Sequence, residues 1–229
     1  AADRGLSVIV AEKDADFGGT TAWSGGWIYA PCNLLARRAG IVEDTSLPRT
    51  YLRHVLGAHF DAARVEAFLE AAPRMVEFFH EHTALRFDLG STIPDTYSSV
   101  EGAGRGGRSV IALPCDGRIL GPLLARLRRP LRETTFLGLT IQAGPDLRAF
   151  MNVTRSPRAL AWVARRVGRH LLDLALHGRA LQLRNGSALV ARLLRAAADR
   201  NVDLRASSPV VRLVQREGRV RGAVLATPE

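Results

Sequence analysis

Glu12-Lys13, then Gly18-Gly19-Thr20-Thr21-Ala22-Trp23-Ser24-Gly25-Gly26, then Tyr29 and Asn33, make up the segment from which this 229-residue sequence is best read. Just before it, Leu6-Ser7-Val8-Ile9-Val10-Ala11 is a short, apolar, β-branched run that predicts a buried strand. An acidic residue at the end of such a strand suits a dinucleotide site, because its carboxylate can accept hydrogen bonds from ribose hydroxyls. Two Gly-Gly pairs allow the backbone to approach a flat or phosphorylated ligand closely. The Thr and Ser residues between them add hydroxyl and N–H donors.

In sites of this kind the acidic residue lies about 20 residues after a G-x-G-x-x-G turn. Counting back from Glu12 runs past Ala1. Ala1-Ala2-Asp3-Arg4-Gly5 reads as the last turn of a helix closed by a Gly C-cap. The sequence is therefore expected to be a piece of a longer protein, cut inside a nucleotide-binding βαβ unit.

The Glu-Lys and Gly-Gly-Thr-Thr-Ala-x-Ser-Gly-Gly pattern, with the aromatic and Asn beyond it, resembles the flavoprotein family of fumarate reductases and 3-ketosteroid dehydrogenases, and within it the Δ1-dehydrogenase group. Gly107-Arg108-Ser109, Asp116-Gly117-Arg118-x-Leu120-Gly121, Phe150 to Ser156, His177-Gly178-Arg179 and Asn185-Gly186-Ser187-Ala188-Leu189-Val190-Ala191-Arg192-Leu193 are similar to further stretches of that group. The resemblance implies an α/β fold: an incomplete Rossmann-like FAD-binding domain with an inserted α+β substrate (cap) domain. The domains implied are 1–48 (first part of the FAD-binding domain), 49–200 (a largely helical region leading into the substrate domain) and 201–229 (a return strand and hairpin).

The same resemblance implies the site residues. Glu12 would hold the adenosine ribose of FAD, and Lys13 would lie near the adenine. Gly18, Gly19, Thr20 and Thr21 would lie over the pyrophosphate and flavin. Ser24, Gly25 and Gly26 would lie beside the isoalloxazine, and the Val210 backbone would meet the adenine. In the ketosteroid group a proton leaves the carbon alpha to a ketone and a hydride leaves the adjacent carbon for FAD, so a base and an enolate donor are needed. Tyrosines do this work there, one of them in a Pro-Asp-Tyr-Tyr-like loop. Here that loop reads Pro94-Asp95-Thr96-Tyr97, which leaves Tyr97 as the catalytic candidate, with Thr96 replacing the second aromatic. The implied partners are a steroid-like or other keto or unsaturated small molecule and an external electron acceptor. The alternatives are a fumarate-reductase-like flavoprotein acting on another substrate, or an inactive truncated product.

Composition bounds these readings. A hydrophobic content of 47% allows a sizeable core. No apolar run reaches the roughly 18 residues of a membrane span, and no secretion signal is visible. The two cysteines, Cys32 and Cys115, match no metal spacing and read as free thiols of a reducing, cytoplasmic compartment. The net charge of +10 raises the question of nucleic acid. Lys13 is the only lysine among 32 basic residues, a skew that fits coding bias, and the arginines are spread along helices rather than packed in one run. No aromatic-rich β pattern for base stacking is present, so nucleic acid is not expected as a partner.

Along the chain, helices are expected over 50–60 and 62–81, the second capped by Asp61 and broken by Pro73. His80 and His82 do not share a helix face, so they read as a helix end rather than metal ligands. Residues 91–108 are rich in Gly, Ser, Thr and Pro and predict a functional loop. A short helix is expected over 118–129, and a long one starts at Ser156-Pro157. Leu160, Val163, Ala164, Val167, Leu171 and Leu174 form the expected core stripe of that helix. A helix over 185–199, a short strand at 202–204 and a hairpin turning at Glu217-Gly218 follow. Ala226-Thr227 looks superficially like a family turn, but Pro228 follows it.

Overall fold

A computed structural model describes residues 1–226; Thr227 and Pro228 lie outside the described residues. In chain order the elements are β1 (Ile9–Ala11), β2 (Trp27–Tyr29), α1 (Leu34–Arg38), α2 (Ser46–Leu56), α3 (Ala62–His82), β3 (Phe87–Leu89), β4 (Ser109–Ala112), β5 (Cys115–Asp116), α4 (Pro145–Met151), α5 (Pro157–His177), β6 (Gln182–Leu183), α6 (Asn185–Ala198), β7 (Asp203–Arg205), β8 (Val210–Arg216) and β9 (Arg219–Leu225). They pack as two units. One holds Ala1–Gly25 with the chain from Pro114 onward, and the other holds Gly26–Leu113.

In the first unit β1 and β7 pair in parallel, with Val10 opposite Leu204. The ladder runs past the strand ends: the Glu12 N–H donates to the Arg205 carbonyl at 2.8 Å, and the Ser208 N–H donates to the Glu12 carbonyl at 2.7 Å. β1 is shorter than the expected 6–11, and it is not buried, since Ile9 is 54% and Val10 42% exposed. A strand is buried only where layers cover it, and among the described residues β1 pairs with β7 alone. The buried helix of this unit is α6. Residues Gly186 to Ala191, with Leu194 and Ala196, are all shielded, so it is apolar nearly all round, as a core helix must be. The β8–β9 hairpin turns through Glu217 and Gly218, both at positive φ (52° and 70°), as the two-residue turn requires.

Two expectations fail here for identifiable reasons. The segment expected as a helix over 118–129 is a 3-10 run, Gly117–Arg126, kinked at Gly121 with Pro122 next. The expected stripe of α5 is largely on the surface: Leu160 is 54% and Leu171 48% exposed. The face of α5 that turns inward carries Arg166, His170 and Asp173. Asp146 of α4 supplies the counter-charge, pairing with Arg166 within the protein, and the Arg166 Nη2 donates to the Thr140 carbonyl at 2.9 Å. A buried charge is tolerated only with such a partner, and periodicity cannot reveal a partner that lies 20 residues away.

In the second unit β2, β4 and β3 form an antiparallel sheet in that order, with Val110, Ile111 and Ala112 buried. α3 presents Val65, Leu69, Ala72 and Val76 to the interior at spacings of three and four. Its cap is as expected, the Asp61 carboxylate accepting from the Arg64 N–H at 3.1 Å. Pro73 does not break it. The helix continues through that position, held by its apolar face, at the loss of one backbone hydrogen bond. α2 starts at Ser46, earlier than expected, because Pro48 sits in the first turn, where the missing N–H has no intrahelical partner to lose.

Candidate functional site

The Gly18–Gly25 loop is gripped from two sides. Gly18 has φ +126°, and a Cβ there would lie 2.9 Å from the Ala22 Cβ and 3.2 Å from the Val190 side chain. Gly19 follows at φ +47°, and the chain then winds into a 3-10 turn, Thr21–Trp23. The first grip is the start of α6. A Cβ on Gly186 would fall 1.7 Å from the Thr21 carbonyl oxygen, so only glycine admits this contact. The Gly186 N–H donates to the Ser24 carbonyl at 3.1 Å, and the Ser187 Oγ donates to the Ala22 carbonyl at 3.2 Å. The second grip is the segment from Arg126 to Arg129. The Phe17 N–H donates to the Arg126 carbonyl at 2.7 Å, and the Arg128 N–H donates to the Phe17 carbonyl at 3.0 Å. The Arg128 guanidinium pairs with Asp14 and lies 4.9 Å over the Trp23 ring, whose Nε1–H donates to the Arg129 carbonyl.

Within this unit the expected residues fall into two groups. Thr20, Thr21, Ser24 and Gly25 are exposed along the gripped loop, and the Ser24 Oγ donates to the Thr21 carbonyl at 2.8 Å. Glu12 follows β1, half-buried, and its Oε1 accepts from the Asp14 N–H at 2.9 Å. Lys13 beside it is exposed. Val210, exposed at the start of β8, stands two residues beyond Ser208, which is bonded to Glu12. The structure thus brings Glu12, Lys13 and Val210 to one end of the β1–β7 pair. Gly26 and Tyr97 belong to the other unit.

Tyr97 is 57% exposed in the second unit, and its backbone N–H donates to the Tyr51 Oη at 3.3 Å. Its loop is fixed by a buried ion network. Arg108 donates to Glu43 through Nε and Nη2, and through Nη1 to Asp95 and to the Gly102 carbonyl, each at 2.7 Å. The Arg108 and Asp95 side chains are only 3% and 2% exposed. Burial works against the charge of Arg108, but the hydrogen bonds and charge of Glu43 outweigh it and raise its pKa above the ordinary arginine range. Asp95 also accepts from the Gly104 N–H at 2.8 Å, so it ties both ends of the loop tip.

Gly186, Ser187 and Arg108 are the residues that sequence reasoning left without a role, though all three stand in the stretches that carry the resemblance. The available signal was a glycine at the start of a helix, where it lowers helix propensity and so needs a packing reason. Asp116, in the Asp-Gly-Arg stretch, is held by two arginines. Its carboxyl accepts from Arg118 and Arg169, and the Arg118 hydrogen bond holds its pKa down at about 2. No cluster of three or more metal-ligating side chains occurs among the described residues. Nor is any helix there long and apolar enough to cross a membrane.

An acidic strand end and a glycine loop locked onto a buried helix lie in the same α/β unit. The chain belongs to the FAD binding domain family, whose pattern matches residues 1–229. FAD is therefore its cofactor. The chain is 36% identical over 225 residues to the 4-oxocyclohex-2-ene-1-carboxylate 5-dehydrogenase of Sinomonas cyclohexanicum, covering 98% of this chain and 38% of that protein. It is 29% identical over 222 residues to a 3-oxosteroid 1-dehydrogenase of Mycolicibacterium smegmatis, covering 97% of this chain and 38% of that one. Its structure matches that of the 3-ketosteroid Δ1-dehydrogenase of Sterolibacterium denitrificans in complex with 1,4-androstadiene-3,17-dione. That match has a TM-score of 0.83 at 30% identity and covers 97% of this chain and 40% of the other. The chain spans about two fifths of the length of these relatives.

Proposed function

We propose that the protein is an FAD-dependent dehydrogenase that oxidises a CH–CH bond next to a ring ketone, with a 3-ketosteroid-like molecule as substrate. The observation that carries this reading is the Gly18–Gly25 loop, locked by Gly186 in a chain that matches the FAD binding domain along its whole length. Relatives that act on 3-oxosteroids and on oxocyclohexene carboxylates support the choice of a cyclic ketone.

The residues present fit the cofactor. Glu12 keeps a carboxylate oxygen available for the ribose hydroxyls at the strand end, with Lys13 and the Val210 backbone on the adenine side. Gly18 and Gly19 let the backbone approach the pyrophosphate, and Thr20 and Thr21 offer exposed hydroxyls. Ser24, Gly25 and Gly26 are the residues that would hold the isoalloxazine. FAD, when bound, accepts the hydride that leaves the substrate. Tyr97 handles the proton: as a phenolate it would take the proton alpha to the ketone, or as a phenol it would donate to the enolate oxygen that develops. An external electron acceptor is the further partner that this chemistry would need. Residues 1–48 and 201–229 serve the FAD-binding part, and 49–200 lead into an inserted substrate (cap) domain. The half-buried free thiols Cys32 and Cys115 suit a cytoplasmic setting.

The test is Tyr97→Phe in the full-length protein, assayed on a 3-ketosteroid. We expect kcat to fall by about 10²–10⁴-fold, with FAD content unchanged. A fully active variant would make Tyr97 a packing residue and remove the proton step assigned to it.

A further inference from the structure

The loop that carries Tyr97 is packed more tightly than its Gly- and Ser-rich composition suggests. A Cβ on Gly106 would fall 2.0 Å from the Ser91 carbonyl oxygen. One on Gly102 would fall 2.5 Å from the Leu47 carbonyl oxygen and 2.6 Å from the Tyr51 nitrogen, both in the backbone of α2. Glycine at these two positions lets backbone lie against backbone. The Asp95 N–H donates to the Gly104 carbonyl at 2.9 Å, returning the bond that the Asp95 carboxylate accepts from Gly104. Between these ties lies a turn in which the Val100 N–H donates to the Tyr97 carbonyl at 3.0 Å.

The Tyr97 N–H is bonded from outside the loop, to the Tyr51 Oη at 3.3 Å. Tyr51 is buried, and its ring lies 6.1 Å from that of Tyr29, which in turn stacks at 6.3 Å on Phe68 of α3. Phenylalanine would fill the same space. A phenol there takes a hydroxyl out of water, which is unfavourable unless the hydroxyl finds a partner. The partner here is the backbone of the residue to which the proton step is assigned. A bond to that N–H fixes where the Tyr97 Cα sits, and so the direction in which its side chain leaves the loop. Tyr97 is itself exposed, so its aim is set by its backbone rather than by packing around the ring.

We propose that Tyr51 is a positioning residue: its buried hydroxyl holds the Tyr97 backbone so that the exposed phenol is aimed at the reacting end of the substrate. Tyr51 acts through Tyr97 alone. The inference rests on Tyr97 acting in the proton step. Displacing a reacting group by about 1 Å costs up to about 10²-fold in rate. Losing one hydrogen bond leaves the glycine contacts and the Asp95 ties in place, so a smaller fall, of about tenfold, is expected.

The experiment compares wild type, Tyr51→Phe, Tyr97→Phe and the double variant in the FAD-loaded full-length protein. Turnover of a 3-ketosteroid is counted per bound flavin, so a change in cofactor content does not enter the rate. Tyr51→Phe keeps the ring and its packing, and its melting temperature is measured alongside. We expect Tyr51→Phe to lower kcat by about tenfold with KM unchanged. The double variant should be no slower than Tyr97→Phe, because a group that acts only through Tyr97 then has nothing left to position. A wild-type kcat in Tyr51→Phe, with Tyr97→Phe slow, would overturn the proposal and leave the Tyr97 proton step standing. Losses that multiply in the double variant would also overturn it, since a packing defect or an independent role behaves in that way. A fully active Tyr97→Phe would remove the proton step and the positioning role with it.

Discussion

Replacing Gly186 by Ala places a Cβ 1.7 Å from the Thr21 carbonyl oxygen and 2.9 Å from the Ser24 carbonyl oxygen. Both are backbone atoms, so no side-chain rotation relieves the contact. Either the Thr21–Ser24 turn or the start of α6 must move by more than an ångström. Overpacking of this kind costs about 1–3 kcal/mol. Parting the two segments also loses the hydrogen bonds from the Gly186 N–H and the Ser187 Oγ, at about 0.5–1.5 kcal/mol each. The two contributions overlap, so roughly 2–4 kcal/mol is expected in all. For a chain of this size 1 kcal/mol shifts Tm by about 2–4 °C, so Tm should fall by roughly 4–16 °C. If FAD binds only the wild-type loop, restoring it weakens FAD affinity by up to about 10³-fold, at tenfold per 1.4 kcal/mol. The control is Gly168→Ala, on an exposed turn of α5 with open space around it. There alanine should be neutral or stabilise by up to about 1 kcal/mol. Calorimetric melting and fluorescence titration with FAD read both variants. The reasoning is refuted if Gly186→Ala melts and binds FAD as Gly168→Ala does.

Further outcomes follow from the same geometry. Glu12→Ala should weaken FAD binding by about 1.5–3 kcal/mol, the range for charge-assisted hydrogen bonds; unchanged affinity in a flavin titration would make Glu12 only a strand-end charge. Arg108→Met leaves Asp95 buried without its partner and should cost about 3–5 kcal/mol of stability in denaturant unfolding; a midpoint shift worth less than about 1 kcal/mol would show that Glu43 and Asp95 do not depend on it. His80 accepts the Phe87 N–H through Nδ1, and burial, then the charges of Arg86 and Arg38, lower its pKa. The unfolded chain therefore protonates first, and stability should be full above about pH 6.5 and fall as pH drops toward the lower folded value. His80→Asn keeps the acceptor without titrating, so its melting temperature should fall less than that of wild type between pH 7 and 5; parallel slopes would exclude His80 as a source of acid sensitivity.

The sequence by itself determined what local chemistry decides. The caps at Asp61 and Ser156 and the Glu217-Gly218 turn each act within a few residues, so they were legible and stand as read. The family and its cofactor followed from motifs of the same local kind. Tertiary structure decided whatever depends on partners far along the chain. The apolar stripe of α5 is exposed because Asp146 draws Arg166 inward. Pro73 stays helical because the packed face of α3 offsets one lost hydrogen bond. Gly186 matters because Thr21, 165 positions earlier, leaves no room for a methyl group. Tyr51 bears on Tyr97 because the loop folds back onto α2, 46 positions earlier. Periodicity and propensity measure the energy of a segment with itself. Buried charge and close backbone contact are energies between segments, and only the folded chain sets them.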